Sequence, residues 1–347
     1  MKMNLIKRNT APGRQDALSA GLCARLFLTG AVMYLLCVLP VICWHRGIFF
    51  YYGDYNVQQV PFYILAHRAV RSGCFFWNPY VDLGGNMTGC FAFYLWGSPF
   101  FWLTIPFPES WVPYLLPFLM AAKYGTAMVT SYAWIRPQTR TNRGAVLGAL
   151  LYAFSGFQAC NIVFQHFHDV TAFFPLYLLA LDQFVTKKRR APFAVMTMFM
   201  AILNYYFFAG EVVFLILYYL VRYGIPGFSA RHRSRGAART AREMASLLLY
   251  GMLGVGMAAW YLVQAAEGVA GNTRLGEVLN GYALLCYPDS TTPLAILKSL
   301  FVVPDLIARP TLFGNGATKN SSLSAYLPGF ALTGVIAYCI SCRKRDW

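Results

Sequence analysis

An all-α polytopic membrane protein, one transmembrane domain over residues 1–347 with about eight transmembrane helices, is predicted by three observations on the sequence. The chain is 58% hydrophobic and 12% charged, against roughly 25% charge in soluble domains. Apolar runs of spanning length recur along it, and its basic residues collect between those runs.

The first run, residues 22–44, follows a basic tail and lacks a small-residue cleavage site, so it reads as an uncleaved anchor. Residues 45–110 then form the first outer segment. Within it, residues 60–70 place apolar side chains at helical spacing beside His67, Arg68 and Arg71, as expected for a short helix lying on the membrane. Residues 97–108 are apolar, but they are too short and Pro-rich to span, which predicts a re-entrant or surface segment. Further spans are predicted at 111–134, 144–164 and 170–186. The stretch 191–221 is basic on both flanks and holds Asn204, Gly210 and Glu211 near its middle, so it is expected to break and cross twice, with Glu211 near the outer turn. Spans at 244–266 and 328–342 enclose a second outer segment, residues 267–327.

Most of the 29 Lys and Arg fall in the N-terminal tail, in the short loops after 135, 187 and 222, and in the C-terminal tail, which predicts that both termini are cytoplasmic. The net charge of +16 is therefore a topological signal and an attraction to anionic membrane lipid. Nucleic acid is not an expected partner, because the basic residues lack a clustered aromatic platform. A Walker-type phosphate loop is absent as well, which argues against nucleotide-driven transport by this chain alone. Asp182, close to Lys187 and Lys188, is expected to pair or snorkel at the cytoplasmic interface.

The outer segments carry the candidate chemistry. Asp54, in Tyr-Tyr-Gly-Asp-Tyr just beyond the first span, has two readings: a general base near the membrane surface, or the N-cap of the interfacial helix. Gln165, His166, His168 and Asp169 are expected to form a short outer loop. Their residue types suit a divalent cation or a shared proton, and equally a polar turn that satisfies its own backbone. Asp82 precedes Gly84 and Gly85, a pair that suits either a phosphate-accepting nest or a plain turn. Arg274 is one of few outer cations, placed to meet a lipid phosphate or merely headgroups. No cofactor beyond a divalent cation is implied.

A series of ordered motifs adds a resemblance. Gly53-Asp54 is followed by Gln58 and Pro61-Phe62; then come Phe76-Trp77-Asn78, Gly84-Gly85-Asn86, Tyr94-Leu95 and Ser98-Pro99. Phe154-Ser155-Gly156-Phe157, His166 and Asp169 before Phe174-Pro175-Leu176, Asn204-Tyr205-Tyr206-Phe207, Gly254-Val255-Gly256 with Arg274, and Ala325-Tyr326-Leu327-Pro328-Gly329 complete the series. In this order they make the chain resemble the YfhO family of bacterial membrane proteins, themselves similar to GT-C-type glycosyltransferases. Family members are longer, so the resemblance is to an N-terminal core or a truncated member. It implies a GT-C-like fold in the bacterial cytoplasmic membrane with the active site on the outer face. It also implies sugar transfer from a polyprenyl-phosphate sugar donor to a cell-surface polymer acceptor such as a teichoic acid. By position Asp54 is the catalytic residue that the resemblance implies, the base that deprotonates the acceptor hydroxyl, with Gln58, Asp82, His166, His168, Asp169 and Arg274 as substrate-binding candidates. Two other functions compete: a transporter or flippase of lipid-linked envelope intermediates, and an inactive scaffold.

Overall fold

The structure is a computed structural model that describes residues 19–81, 83–224, 233–270, 300–301 and 329–341. Helix α1, Ala20–Trp44, starts where the Ser19 hydroxyl accepts the Leu22 N–H at 3.2 Å. It stops where Arg46 and Gly47 turn left-handed. A π-helical turn, Tyr55–Gln59, leads into α2, Val60–Ser72, which carries Pro61 in its first turn and ends at Gly73 with φ of 77°. A two-stranded antiparallel hairpin follows, β1 (Trp77–Asn78) with β2 (Gly85–Asn86), and then two short helices, α3 (Met87–Phe91) and α4 (Pro99–Trp102).

The remaining helices are α5 (Val112–Ile135), α6 (Asn142–Ala153), α7 (Gly156–Cys160), α8 (Gln165–Lys187), α9 (Ala191–Leu203), α10 (Tyr205–Tyr219), α11 (Arg233–Ala270) and α12 (Gly329–Ser341). Helix α5 is the hub and packs on α1, α6 and α8, while α9 packs on α8 and α11. At the α1–α5 crossing a Cβ on Gly30 would lie 2.8 Å from the Tyr124 carbonyl oxygen, and one on Gly125 would lie 2.7 Å from that of Phe27. Two backbones meet there because neither position carries a side chain. The segment between α1 and α5 is drawn onto these helices by Tyr63, Phe91, Leu95 and Phe101, all buried in one core with Tyr34, Leu116 and Tyr124.

The expected runs are helical where they are described, except that 144–164 is interrupted at Phe154 and Ser155 between α6 and α7, and the break in 191–221 falls at Asn204. This residue is extended (φ −162°, ψ 103°), its Oδ1 accepts the Tyr206 and Phe207 N–H groups at 3.1 and 3.3 Å, and its Nδ2 donates to the Phe93 carbonyl at 2.8 Å. It caps α10 and ties the break to the segment before α5. Four helical stretches are long and apolar enough to cross a membrane: Ala20–Trp44, Asn142–Val163, Tyr205–Gly224 and Ala238–Ala270. Helices α5 and α8 match them in length, with 24 and 23 residues, but bury polar side chains along their inner faces. Helix α9 has 13 residues and reaches about 20 Å, short of a hydrocarbon core of about 30 Å.

Several expectations need correction. Residues 165–169 are not a loop but the first turn of α8, and Gln165, His166, His168 and Asp169 are all buried. Glu211 does not sit at a turn; it is buried well inside α10. Asp182 meets Arg222 rather than Lys187 or Lys188: Arg222 Nε lies at 3.7 Å, with the Tyr223 and Tyr218 hydroxyls donating to Oδ1 at 2.7 and 3.0 Å and Trp134 Nε1 to Oδ2 at 3.2 Å. The polar face of α2 clasps protein. His67 Nε2 is 3.0 Å from the Phe107 carbonyl, and Arg68 makes a two-pronged pair with Glu109 at 2.5 and 3.1 Å.

Candidate functional site

Asp54 stands at the head of the π-helical turn, exposed, its side chain with no hydrogen bond or ion pair to another described residue. It occupies the cap position, but its backbone is helical (φ −60°, ψ −19°) and its side chain accepts no capping bond. A capping Asp needs extended backbone to reach the N–H groups ahead of it, so the N-cap reading fails on geometry. What holds the turn is Asn56. Its Oδ1 accepts the Tyr51 N–H at 3.2 Å and its Nδ2 donates to the Tyr51 carbonyl, closing a loop around Gly53, whose φ of 58° suits glycine. Flanking Asp54, burial pushes the Tyr51 and Tyr55 phenols up from their ordinary value, so both remain neutral donors.

Behind the turn lies a buried polar network. Gln59, on the inner side of the π-turn, accepts the Gln165 N–H at 3.2 Å, and its Oε1 lies 3.3 Å from His166 Nδ1. Its Nε2 donates to Gln58 Oε1 at 3.3 Å, and Gln58 Nε2 donates to the Tyr94 hydroxyl at the same distance. On the far side, Lys123 of α5 donates to the Gln165 carbonyl at 2.9 Å and to its Oε1 at 3.2 Å. The Lys123 Nζ also lies 2.9 Å from Asp169 Oδ1, with both side chains wholly buried. The buried Ser98 hydroxyl also bears on the Asp169 carboxyl, and with the oxygens poorly aligned for hydrogen bonding the contact with Lys123 is chiefly one of charge.

The structure therefore brings Gln58, His166 and Asp169 into one network directly behind the Asp54 turn. His168 points elsewhere, its ring edge-on to Tyr124 at 5.5 Å. His166 instead packs against Phe93 and Tyr94 at 4.7 and 5.2 Å. These two His and Asp169 do not converge as cation ligands: among the described residues no group of three or more His, Cys, Asp or Glu gathers, and the cation facing Asp169 is Lys123. Asp82 and Arg274 lie outside the described residues. The Gly84–Gly85 pair closes the β1–β2 hairpin, with Gly84 N–H donating to the Val81 carbonyl at 2.8 Å. Arg68, another arginine of the first outer segment, is already committed to Glu109; that hydrogen bond holds the Glu109 carboxyl below the usual carboxylate range. Lys123 and Gln59 are not singled out by the sequence pattern. Lys123 carried a signal, as a lone cation in an otherwise apolar run.

The sequence model described as "Bacterial membrane protein YfhO" matches residues 24–303. The chain belongs to the YfhO family. No curated protein and no solved structure matches it significantly. The YfhO match spans α1 through α11, so it takes in the Asp54 turn and the Lys123–Asp169 network together. Membership and the apolar helices make this YfhO-family chain a membrane protein.

Proposed function

We propose that the chain is a membrane glycosyltransferase that moves a sugar from a polyprenyl-phosphate carrier to a cell-surface acceptor such as a teichoic acid. In this reading the chain crosses the bacterial cytoplasmic membrane eight times, keeps both termini in the cytoplasm and works on the outer face. Asp54 takes the proton of the acceptor hydroxyl as that oxygen bonds to the anomeric carbon. The bond from anomeric carbon to phosphate oxygen breaks, and its electron pair leaves with the lipid phosphate. Arg274 is the proposed partner for that phosphate, with Asp82, Gln58 and the buried His166, His168 and Asp169 shaping the surroundings.

The observation that carries the reading is the state of Asp54. Among the described carboxylates Asp169, Asp182, Glu109 and Glu243 each face a cation and Glu211 is buried, whereas Asp54 and Glu267 are exposed without a described partner; of these two, Asp54 is the one fixed on a turn closed by Asn56, just beyond the first span. A carboxylate already held by a cation is a poor base, because its proton affinity is spent on that partner. The test is transfer from polyprenyl-phosphate-linked glucose, galactose and N-acetylglucosamine, each supplied to vesicles holding the full chain and teichoic acid. Asp54→Asn is expected to reduce transfer by at least about 100-fold with unchanged expression, the loss typical of a missing acid–base group. Undiminished transfer removes Asp54 from the mechanism.

Glu211 favours a second reading, translocation of a lipid-linked intermediate. It is buried in α10 with neither carboxylate oxygen hydrogen-bonded to a described residue, the kind of intramembrane acid that transporters use. This reading gains if Glu211→Gln stops flipping of a fluorescent lipid-linked sugar while Asp54→Asn does not.

A further inference from the structure

Two elements distant in sequence meet at one side chain, Gln59. Its Oε1 receives the first N–H of α8 at 3.2 Å and stands 3.3 Å from His166 Nδ1, while its own backbone closes the π-turn that begins beside Asp54. The α8 turn it grips is pinned from the other side by Lys123, which holds both oxygens of Gln165 and the Asp169 carboxylate. Gln59 is 2% exposed and Lys123 is fully buried, so water does not compete for these bonds. At the front of the turn Asn56 clasps Tyr51, but nothing described holds the Asp54 side chain itself.

The π-helical geometry fits this arrangement. A π-turn adds a residue to the helical repeat, and such turns are frequent at functional sites because their distortion is retained only where it is used. Here it sets Tyr55 and Gln59, both buried, on the inner side and leaves Val57 73% exposed on the outer side. Straightening the turn into ordinary helix would rotate either the carboxylate or the glutamine out of place.

We propose that Gln59 is a positioning residue, tethering the Asp54 turn to the Lys123–Asp169-braced start of α8 so that the carboxylate is held at a fixed height and direction above the bundle. The inference rests on the assignment of Asp54 as the base. Gln59 touches no substrate; it acts through the turn.

Hydrogen–deuterium exchange on the full chain in lipid nanodiscs, without any substrate, tests the tether directly. In Gln59→Leu the amides of residues 53–59, among them the Asn56 and Val57 N–H groups that bond to the Gly53 carbonyl, are expected to exchange at least about tenfold faster, with α5 and α11 unchanged. Gln59→Glu keeps an acceptor oxygen for the Gln165 N–H and is expected to restore protection. The double variant Lys123→Met/Asp169→Leu, which leaves no buried charge unpaired, is expected to loosen 53–59 to a smaller degree. In the transfer assay Gln59→Leu is expected to lower kcat by about 100-fold, the usual consequence of misplacing a reacting group by about 1 Å, with KM for the polyprenyl-phosphate sugar little changed. Unaltered exchange at 53–59, or faster exchange spread evenly over all helices, overturns the proposal. So does a loosened turn with undiminished kcat in a chain whose Asp54→Asn variant is dead. If Asp54→Asn remains active, the assignment of the base fails, while the exchange data still decide whether the tether exists.

Discussion

The Lys123–Asp169 pair allows a stability prediction with a defined pattern. Both side chains are sealed from solvent, with 2.9 Å between Nζ and Oδ1, and Lys123 also donates to two oxygens of Gln165. Breaking a buried pair from one side costs about 3–5 kcal/mol, because the remaining charge has no solvent to turn to. The two sides are not equivalent. After Asp169→Leu the ammonium keeps its two Gln165 acceptors, which places the loss near about 3 kcal/mol. After Lys123→Met the carboxylate keeps only the buried Ser98 hydroxyl, and the Gln165 oxygens lose their donor, which places the loss toward the upper end, about 4–5 kcal/mol. The double variant removes both charges and leaves chiefly the Gln165 oxygens unmet, about 1–3 kcal/mol. The two single losses together therefore exceed the double loss by about 4 kcal/mol or more, a strong coupling for two side chains in contact. Unfolding of the purified chain by SDS in mixed micelles, monitored by tryptophan fluorescence, measures all four corners of the cycle. Losses that add to within about 0.5 kcal/mol, or a Lys123→Met loss under about 1 kcal/mol, would refute the buried pair.

Other outcomes follow from single contacts. Asn204→Ala removes an N-cap and an anchor to the Phe93 carbonyl, so a loss of about 1–2 kcal/mol in the same SDS titration is expected. Gly30→Val forces a branched side chain into the α1–α5 crossing; a loss of at least about 2 kcal/mol is expected, and a variant as stable as the parent would mean the helices do not touch there. The Arg68–Glu109 contact has a pH signature. Glu109 is held below its ordinary pKa when folded, so its stabilisation is complete above the usual carboxyl pKa of about 4.3 and is lost as pH falls through the lowered value. Exchange protection of α2, corrected for intrinsic rate, should therefore be the same at neutral and mildly acidic pH and fall only in stronger acid, with Glu109→Gln abolishing the dependence. The effect should be small, since both partners are solvent-exposed.

Helix positions are legible in this sequence because a membrane imposes length and apolarity on the segments that cross it, and four of the described helical stretches satisfy both. The break at Asn204 is legible for a different reason: an Asn in mid-run can satisfy the N–H groups of a restarting helix, and it does so here. The start of α8 misleads by the same logic. Gln165, His166, His168 and Asp169 together look like a solvated turn, because polarity in sequence does not distinguish a residue facing water from one facing a polar partner inside a bundle. That distinction depends on Lys123, which α5 delivers from far away in the chain, and on Gln59, delivered from the π-turn. Asp54 was legible as an acid near the membrane surface; its helical backbone and its freedom from partners are tertiary facts.

The division of labour among the charges follows from burial. A carboxylate serving as a base must meet its substrate and then return its proton to solvent, so it belongs where water reaches it; a carboxylate serving as a brace must be kept from water, since exposure would reduce its pair to a weak surface contact. Asp54 and Asp169 occupy these opposite situations on either side of Gln59, one exposed without a described partner and the other sealed against Lys123. On the proposed roles, exchanging their environments would disable both: an ammonium beside Asp54 would suppress its basicity, and an unpaired Asp169 would destabilise the α5–α8 contact behind the turn. The arrangement thus makes a directional demand on mutants. Damage to the brace should spread outward to the Asp54 turn through Gln59, whereas Asp54→Asn, which breaks no contact with a described residue, should leave the stability of the bundle untouched.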